Sequence, residues 1–405
     1  MNNFKILTFT GAYLPGYKGG GPIRTIANMA AHLGDEFEFW IVTRDRDLGD
    51  TEKYPSIPED TWVKIENAHV YYLPPDKINL LGISKLISST PHDILYLNSF
   101  FEPNFTIKPL LSRRFLSSTT KPVILAPRGE FSPSALQLKK TKKYFYITIS
   151  KLIRLYKGVT FHASSAHEEN DINKSLNPQP GCIITAIDLP EKNAYPNLPP
   201  PPLQTDHCGA LKVIFLSRIS PMKNLDFALN TLALTSKRIR FDIYGPLEDQ
   251  NYWKECQAII KKLPATISVN YCGTVLPANV KATFGLYDLF LFPTRGENYG
   301  HVIAESFSTG TPVLLSDKTP WSDLESDGLG WNLSLENPAA FAQKIEYLAE
   351  TSSETRQKQR LKTREKALIR LLNPEAIEEN RRLFYSHLPD HASAFGQKYH
   401  SESIG

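Results

Sequence analysis

Short apolar segments alternate with helix-like segments along the chain, and this alternation is what most restricts the fold. In the first half the apolar segments are residues 6–9, 37–42, 70–73, 94–97, 123–126 and 159–162. In the second half they are residues 213–216, 241–244, 267–271, 289–292 and 312–315. Short buried strands that alternate with helices are typical of parallel, doubly wound sheets. The sequence therefore predicts an α/β fold.

The alternation stops at a proline-rich stretch in the middle of the chain. This stretch contains Pro190, Pro196, Pro199, Pro200, Pro201 and Pro202, a composition typical of a stiff, extended linker. A chain of 405 residues is also too long for one ordinary core and suits two domains. We predict a first domain over 1–190, a linker over 191–210, a second domain over 211–388 and a loose tail over 389–405. The final helix, over 374–388, is expected to cross back to the first domain.

Two carboxylates stand eight positions apart just after the apolar segment 289–292. Glu297 lies in a glycine-bounded loop, and Glu305 lies in a helix predicted from Gly300 to Thr309. A helix that starts at the carboxyl end of a parallel strand presents free N–H groups to an anion. Such a site suits a ligand with a phosphate and several hydroxyls, for example a nucleotide sugar. The alternative is that both are solvated charges.

Two cations follow the first strand of the second half. Arg218 and Lys223 stand five positions apart, after an apolar segment that ends at Ser217. Fixed Arg and Lys donors stabilise the negative charge that develops on a leaving diphosphate, without requiring a metal. The alternative is ordinary surface charge.

Together these motifs resemble the retaining glycosyltransferases of the two-Rossmann-domain type (GT-B fold), in the large family 4 group with an E-x7-E and an R-x4-K pattern. The resemblance is strongest over 211–331 and implies two Rossmann-like domains with a cleft between them. It implies that Arg218 and Lys223 hold the donor diphosphate and that Glu305 holds the ribose hydroxyls. It further implies that the donor sugar is held by Glu297 and by the backbone of Asn298, Tyr299 and Gly300.

This resemblance implies transfer of a sugar from a nucleotide-sugar donor to a hydroxyl of a surface polysaccharide or a lipid-linked oligosaccharide. No metal or other cofactor is expected. Two alternatives share the fold and the ligand: a sugar-nucleotide epimerase, and a non-catalytic subunit that binds nucleotide sugar.

The first domain contributes a glycine-rich loop and an arginine. Gly20 and Gly21 precede a proline at a helix start and let the backbone approach a ligand closely. The resemblance places them against the donor diphosphate and the acceptor, whereas the alternative is a flexible surface loop. Arg128 stands where many relatives have a histidine, and could bind donor phosphate or an anionic acceptor. The alternative is a structural ion pair with Glu130.

The segment 139–157 is basic, and no Asp or Glu occurs from Phe131 to His167. In a helical projection Phe145, Ile149, Leu152, Ile153 and Tyr156 share one face, and Lys139, Lys143, Arg154 and Lys157 gather opposite. A helix with this pattern can lie on an anionic membrane surface. The alternative is an amphipathic helix packed on the first domain.

Other features exclude several classes. The net charge of +4 does not indicate nucleic-acid binding, and the four scattered cysteines indicate neither a zinc site nor a disulfide framework. With no signal peptide and no apolar segment long enough to span a bilayer, we expect a cytoplasmic protein. A peripheral position at the inner face of the membrane is the alternative. The Asp45-Arg46-Asp47 triplet is interpreted as loop charge. His162 and His167 are interpreted as core or surface histidines rather than catalytic ones, and Trp321 and Trp331 as packing residues rather than platforms for a sugar.

Overall fold

The computed structural model describes residues 3–55, 57–116, 120–137, 139–192 and 209–388. These residues divide into two compact units, one within Met1–Lys192 and Pro374–Gly405 and the other within Asn193–Asn373. The prolines of the predicted linker from Pro196 onward and the predicted tail over 389–405 lie outside the described residues.

The first unit contains an eight-stranded sheet in the order β3-β4-β2-β1-β5-β6-β7-β8. Its strands are β1 (Phe4–Phe9), β2 (Phe37–Arg44), β3 (Trp62–Ile65), β4 (Ala68–Leu73), β5 (Ile94–Asn98), β6 (Val123–Ala126), β7 (Val159–Ala163) and β8 (Ile183–Thr185). Its helices are α1 (Gly21–Leu33), α2 (Leu80–Ser89), α3 (Lys108–Phe115), α4 (Pro133–Gln137), α5 (Lys140–Leu152) and α6 (Ala166–Leu176).

The second unit contains a six-stranded parallel sheet in the order β11-β10-β9-β12-β13-β14. Its strands are β9 (Leu211–Leu216), β10 (Ile239–Tyr244), β11 (Ile267–Tyr271), β12 (Leu289–Phe292), β13 (Val313–Ser316) and β14 (Gly330–Leu333). Its helices are α7 (Leu225–Leu232), α8 (Gln250–Ile260), α9 (Val280–Phe284), α10 (His301–Ser308), α11 (Pro338–Glu350) and α12 (Ser353–Leu371).

The central strands form because their side chains are apolar on both faces. Every residue of β6 and of β12 is buried, as expected for parallel strands covered by helices on both sides. Both strands have the bounds that the apolar segments predict. Two core clusters occupy the first unit and one occupies the second. The predicted α/β class with two doubly wound domains is therefore confirmed.

Three strands were not predicted, and all three lie at sheet edges. β3 pairs antiparallel with β4, so the first sheet is mixed rather than wholly parallel. β8 and β14 close the far ends of the two sheets. An edge strand has a partner on one side only. The residues of β3 and β8 are accordingly mostly part-exposed, and the second half of β14 is as well, so none of the three presents a long buried apolar run.

The last helix, α13 (Pro374–Tyr385), packs with the first unit although it follows the second in the chain. The Phe384 ring lies 5.3 Å from the Phe37 ring, centroid to centroid. Arg381 donates to Glu36 at 2.7 Å, and the Tyr385 hydroxyl donates to the same carboxylate at 2.9 Å. The compact second unit therefore ends at Asn373.

The basic segment 139–157 differs from its predicted geometry. Helix α5 ends at Leu152, and Arg154 adopts a left-handed backbone with φ of 51°. Tyr156, which was placed on the apolar face, instead stacks on Phe100 at 4.5 Å. The face that packs on the domain carries Ile147 and Ser150. The predicted apolar face is thus turned to solvent and does not pack on the domain.

Candidate functional site

The two sequence motifs of the second unit follow neighbouring strands of its sheet and lie at the carboxyl ends of those strands. Lys223 follows β9 and Glu297 follows β12, and these two parallel strands are direct neighbours, with Val213 opposite Leu289. The chain leaves β9 towards β10 on one side, while β12 and β13 continue on the other. In open α/β sheets a ligand crevice forms outside the carboxyl ends of strands at such a switch point.

Lys223 and Glu297 are in direct contact there. The Lys223 ammonium donates to Glu297 Oε1, and each side chain is only 12% exposed. The Thr294 hydroxyl lies 3.3 Å from the same carboxylate oxygen, and the Lys223 ammonium lies 5.7 Å from the Phe292 ring centroid. A cation and a carboxylate, 74 residues apart in the chain, therefore form one partly desolvated pair at the switch point.

Arg218 is not part of this pair. Its guanidinium donates to Glu248 at 2.7 Å, and both side chains are about half exposed. An exposed ion pair of this kind contributes little to stability, about 0–1 kcal/mol. The guanidinium can therefore exchange Glu248 for an anionic ligand at low cost.

The second carboxylate of the motif lies inside the predicted helix. Glu305 is in α10 and is 8% exposed. Gly300 precedes the helix with φ of 80°, and a Cβ there would come within 2.7 Å of the Ile303 side chain. Glycine is the residue that accepts this left-handed conformation without strain. The helix start predicted from the sequence is thus set by Gly300.

The loop residue before this glycine is fixed by a tryptophan. Tyr299 is 8% exposed, and its carbonyl accepts a hydrogen bond from Trp321 Nε1 at 2.6 Å. The Trp321 ring also packs against Tyr299 at 5.3 Å and against Phe307 at 5.2 Å, centroid to centroid. Trp321 is therefore a packing residue that holds the site loop, as predicted. Asn298, in the same loop, is half-buried.

Two further residues, which the motifs did not single out, join the motif loops. The Asn224 side chain is buried between them, and Arg295 donates from Nε to Asn224 Oδ1 at 3.0 Å. Arg295 also lies 3.7 Å from Asp226. A sequence signal existed, because Asn224 directly follows Lys223 and Arg295 lies two residues before Glu297. Their separation of 71 residues in the chain hides the contact between them.

In the first unit, Arg128 is enclosed by polar side chains. Its guanidinium pairs with Asp188 at 2.9 Å, and these side chains are 4% and 3% exposed. It also donates to Asn98 Oδ1, at 3.1 and 2.9 Å, and to the Tyr96 hydroxyl at 2.7 Å. The predicted alternative of a structural ion pair thus forms, but with Asp188. Glu130, the expected partner, accepts from Ser99 and from the Phe101 N–H instead.

A chain of hydrogen bonds continues from Arg128 into the core. The Tyr96 hydroxyl, which accepts from Arg128, lies 2.8 Å from His162 Nδ1, and His162 Nε2 lies 2.9 Å from the Ala186 carbonyl. Since a carbonyl only accepts, this arrangement fits a neutral imidazole that carries its proton on Nε2. Burial, helped by the nearby Arg128 charge, lowers the pKa of His162 to about 4. His162 is therefore a core histidine, as predicted.

The glycine-rich loop before α1 is held from one side and open on the other. The Asp47 carboxylate accepts from the N–H groups of Tyr17 at 2.8 Å and Lys18 at 3.1 Å. Gly20 has φ of 68°, and no atom lies within 4 Å of the position a Cβ would take. Gly21 begins α1 and is exposed. The backbone at Gly20 is thus ordered but uncovered.

The two carboxylates of the Asp45-Arg46-Asp47 triplet both bind other groups of the protein. Asp45 pairs with Arg46 at 2.8 Å, and Asp47 holds the glycine-rich loop. Within the described ranges, no group of three or more His, Cys, Asp or Glu side chains could hold a metal ion. Cys182, Cys256 and Cys272 are free thiols, and Cys208 lies outside the described part of the chain.

Comparison with known proteins adds to this geometry. Residues 209–366, which include β9, β12 and both motifs, match the family described as "Glycosyl transferases group 1". This part of the chain is therefore similar to the glycosyl transferases group 1 domain. A relative, the "Uncharacterized 41.2 kDa protein in cps region" of Klebsiella pneumoniae, is 22% identical over 251 residues, which are 62% of this chain and 67% of that protein.

Solved structures resemble nearly the whole chain. The Anabaena protein Alr3699/HepE, crystallised with UDP and glucose, has a TM-score of 0.66 at 14% identity and covers 94% of this chain and 98% of its own. The lipopolysaccharide outer core galactosyltransferase WaaB has a TM-score of 0.59 at 14% identity, with 95% and 100% covered. At these identities the likeness shows the fold, which is the GT-B fold of glycosyltransferases.

Proposed function

We propose that the protein is a retaining glycosyltransferase that moves a sugar from a nucleotide-sugar donor to a hydroxyl of a surface polysaccharide or lipid-linked oligosaccharide. The observation that carries this proposal is the Lys223–Glu297 pair at the β9/β12 switch point. The fold supports a nucleotide-sugar donor, since HepE was crystallised both with UDP and glucose and with UDP-glucose.

The donor would be bound by both motifs. Lys223 and Arg218 would face the diphosphate, whose negative charge grows as the glycosidic bond breaks. Glu305, a part-desolvated helix carboxylate, suits the ribose hydroxyls, because an ionised carboxylate accepts strong hydrogen bonds from hydroxyl groups. Glu297 and the backbone of the loop from Asn298 to Gly300 would hold the transferred sugar.

Retention follows from displacement on one face of the sugar. The bond from the anomeric carbon to the leaving phosphate oxygen breaks, and a bond to the acceptor oxygen forms on the same face. The acceptor proton passes to the leaving phosphate oxygen, so no protein base is required. Lys223 then stabilises the departing diphosphate, and the fixed cations take the part that a divalent metal plays elsewhere.

The acceptor class is supported by the relatives. The Klebsiella relative is named for its cps region, and WaaB is named for the lipopolysaccharide outer core. A saccharide that grows on a lipid carrier is the acceptor class consistent with both names.

The decisive experiment incubates the purified protein with a panel of nucleotide sugars, with and without membrane extract that contains lipid-linked saccharides. We expect nucleoside diphosphate release that depends on the extract, and a product whose new linkage keeps the donor's anomeric configuration by NMR. Product formation from donor alone would indicate the epimerase alternative, and donor binding without turnover would indicate the non-catalytic subunit. Activity that a chelator abolishes and magnesium or manganese restores would refute the metal-independent mechanism.

The proposed acceptor also calls for contact with a membrane, and α5 offers a suitable surface. We define the α5 surface as the exposed apolar residues Phe145, Ile149 and Leu152 together with the exposed lysines Lys140 and Lys142. Phe145 is 68% exposed and Leu152 is 78% exposed, so neither side chain is packed in the core of the unit. Large apolar side chains flanked by lysines are typical of helices that lie in the membrane interface. In the described ranges no helix is long and apolar enough to cross a membrane.

The partner proposed for the α5 surface is an anionic phospholipid bilayer. Each lysine near such a bilayer contributes about 1 kcal/mol, and this attraction is screened over about 10 Å at moderate salt. Lys143, which the helical projection grouped with Lys139, Arg154 and Lys157, instead donates to the Ala135 carbonyl at 2.8 Å.

Sedimentation with vesicles that contain anionic phospholipid tests this contact. The wild type is expected to bind, and binding should weaken as salt rises. Phe145→Ser with Leu152→Ser should release the protein, whereas Ile369→Ser, an equally exposed apolar residue on α12, should leave binding unchanged. A wild type that ignores anionic vesicles at low salt would overturn the membrane contact without affecting the transferase proposal.

A further inference from the structure

The two motif loops of the second unit are joined by Asn224, the residue directly after Lys223. Its side chain is 2% exposed. Asn224 Nδ2 donates to the Pro293 carbonyl at 2.9 Å, and Asn224 Oδ1 accepts from Arg295 Nε at 3.0 Å. Both ends of the amide are therefore bonded to the segment that leads from β12 to Glu297.

The residue on the other side of Lys223 is tied to the same segment. The Met222 carbonyl accepts from the Arg295 N–H at 2.9 Å and from the Thr294 hydroxyl at 3.2 Å. Lys223 thus lies between two residues that are both bonded to residues 293–295. The backbone that carries Lys223 can therefore move relative to the loop of Glu297 only if these hydrogen bonds change.

The backbone at Asn224 does not by itself require an asparagine. Asn224 has φ of 61° and ψ of 40°, the left-handed conformation that glycine accepts most easily and asparagine tolerates. A glycine would meet the backbone requirement, and only the amide makes the two cross-loop bonds. What the asparagine adds here is therefore the link between the loops.

We propose that Asn224 is a positioning residue, which holds Lys223 against Glu297 and so places the ammonium where the leaving diphosphate gains charge. This inference rests on the proposed transferase function and adds a residue that acts through Lys223. A pre-positioned cation needs no rearrangement during the reaction, whereas a displacement of about 1 Å can cost up to a hundredfold in rate.

The test is Asn224→Gly, which keeps the left-handed backbone and removes both side-chain bonds. We expect kcat for transfer to fall about tenfold or more with a smaller change in the donor KM, because the lost contact acts mainly on the transition state. The melting temperature should fall somewhat, because the Pro293 carbonyl loses its donor, so kcat is compared at a temperature at which both proteins are folded. The matched control is Asn177→Gly, the same exchange at another left-handed asparagine, with φ of 49°, at the end of α6 in the first unit. It should leave kcat unchanged.

A second variant covers the case in which Asn224→Gly does not fold. Arg295→Met removes one of the two bonds to Asn224 and should lower kcat in the same direction by a smaller factor. If the wild type transfers sugar and the folded variants keep its kcat, Asn224 has no positioning role. If the wild type transfers nothing from any donor, the proposed function fails instead, so the two failures are distinguishable.

Discussion

Lys223 and Arg128 were both singled out as ligand-binding cations, and each is paired with a carboxylate, but their surroundings differ. The Lys223–Glu297 pair is 12% exposed on both sides and lies in loops at a strand switch point. Arg128 is 4% exposed and donates to Asp188, Asn98 and Tyr96. A guanidinium has five N–H donors, and four hydrogen bonds to these groups are formed.

Because of this difference, Lys223 can bind a ligand, whereas Arg128 stabilises the fold of the first unit. Lys223 carries three donors in a group that can rotate, close to the surface. The planar fork of Arg128 is committed to fixed partners inside the first unit. We therefore expect substitutions at Lys223 to act on transfer and substitutions at Arg128 to act on stability.

The largest expected effect is the loss of stability in Arg128→Met. The substitution leaves the Asp188 carboxylate buried without its cation, which typically costs about 3–5 kcal/mol. Lys223→Met should cost much less, because its partner Glu297 is closer to solvent. Urea denaturation of the intact chain, followed by fluorescence and circular dichroism, compares the two variants. Equal losses would break the distinction between the pairs.

The next effect is on transfer. Lys223→Ala and Glu305→Ala should each lower kcat/KM by at least about a hundredfold, or about 3 kcal/mol, because each removes a charged contact to the donor. Lys237→Ala, which removes an exposed lysine paired with Glu350 in the same unit, is the control and should keep activity. Wild-type rates in either site variant, with the fold intact, would remove the motif from the site.

A third prediction concerns His162, which belongs to the hydrogen-bond chain of Arg128, and the change of the unfolding free energy with pH. The pKa of His162 is lowered to about 4 in the folded state, below the usual 6.5, so between these values the unfolded state binds more protons. The contribution of neutral His162 to the unfolding free energy is therefore complete above the pKa of the residue in the unfolded state. It is lost as the pH falls towards the pKa in the folded state. From about pH 7 to about pH 5 the loss should be about 2 kcal/mol.

His162→Gln provides the comparison for this titration. The variant removes the imidazole and leaves the other titrating groups in place. Its unfolding free energy should therefore fall less steeply than that of the wild type over the same pH interval. Parallel slopes for the two proteins would show that His162 does not titrate as its burial requires.

Much of the fold could be predicted because buried strands leave a local signal. The apolar runs of β6 and β12 are read directly from the chain, and the motifs after β9 and β12 identify the loops that meet. The edge strand β3 was missed because its residues are mostly part-exposed and its apolar and polar residues do not alternate regularly. The strand order of the parallel sheet then brings the two motifs together, which their separation along the chain does not reveal.

The rest depended on contacts between distant residues. Asp188 lies 60 residues after Arg128, and no local pattern links them. The sequence left open whether the apolar face of α5 is exposed or packed on the domain, for the same kind of reason. A helical projection shows which residues share a face, but only the packing of Ile147 and Ser150 decides which face is buried. The break at Arg154 also depends on its left-handed backbone, which side-chain type did not reveal.

The smallest expected effect concerns Gly20, where stability and transfer can be separated within the first unit. Gly20→Ala should cost about 1–3 kcal/mol, because residues with a Cβ rarely adopt its backbone conformation, with φ of 68° and ψ of −134°, although the space around that Cβ is open. Gly181→Ala is the matched control, since Gly181 has φ of 79° and equally open surroundings. Both variants should lose similar stability. If the loop approaches the donor or the acceptor, only Gly20→Ala should also lower transfer. Equal activity in the two variants would leave Lys223 and Glu297 as the site and make the glycine-rich loop, like Arg128, part of the scaffold.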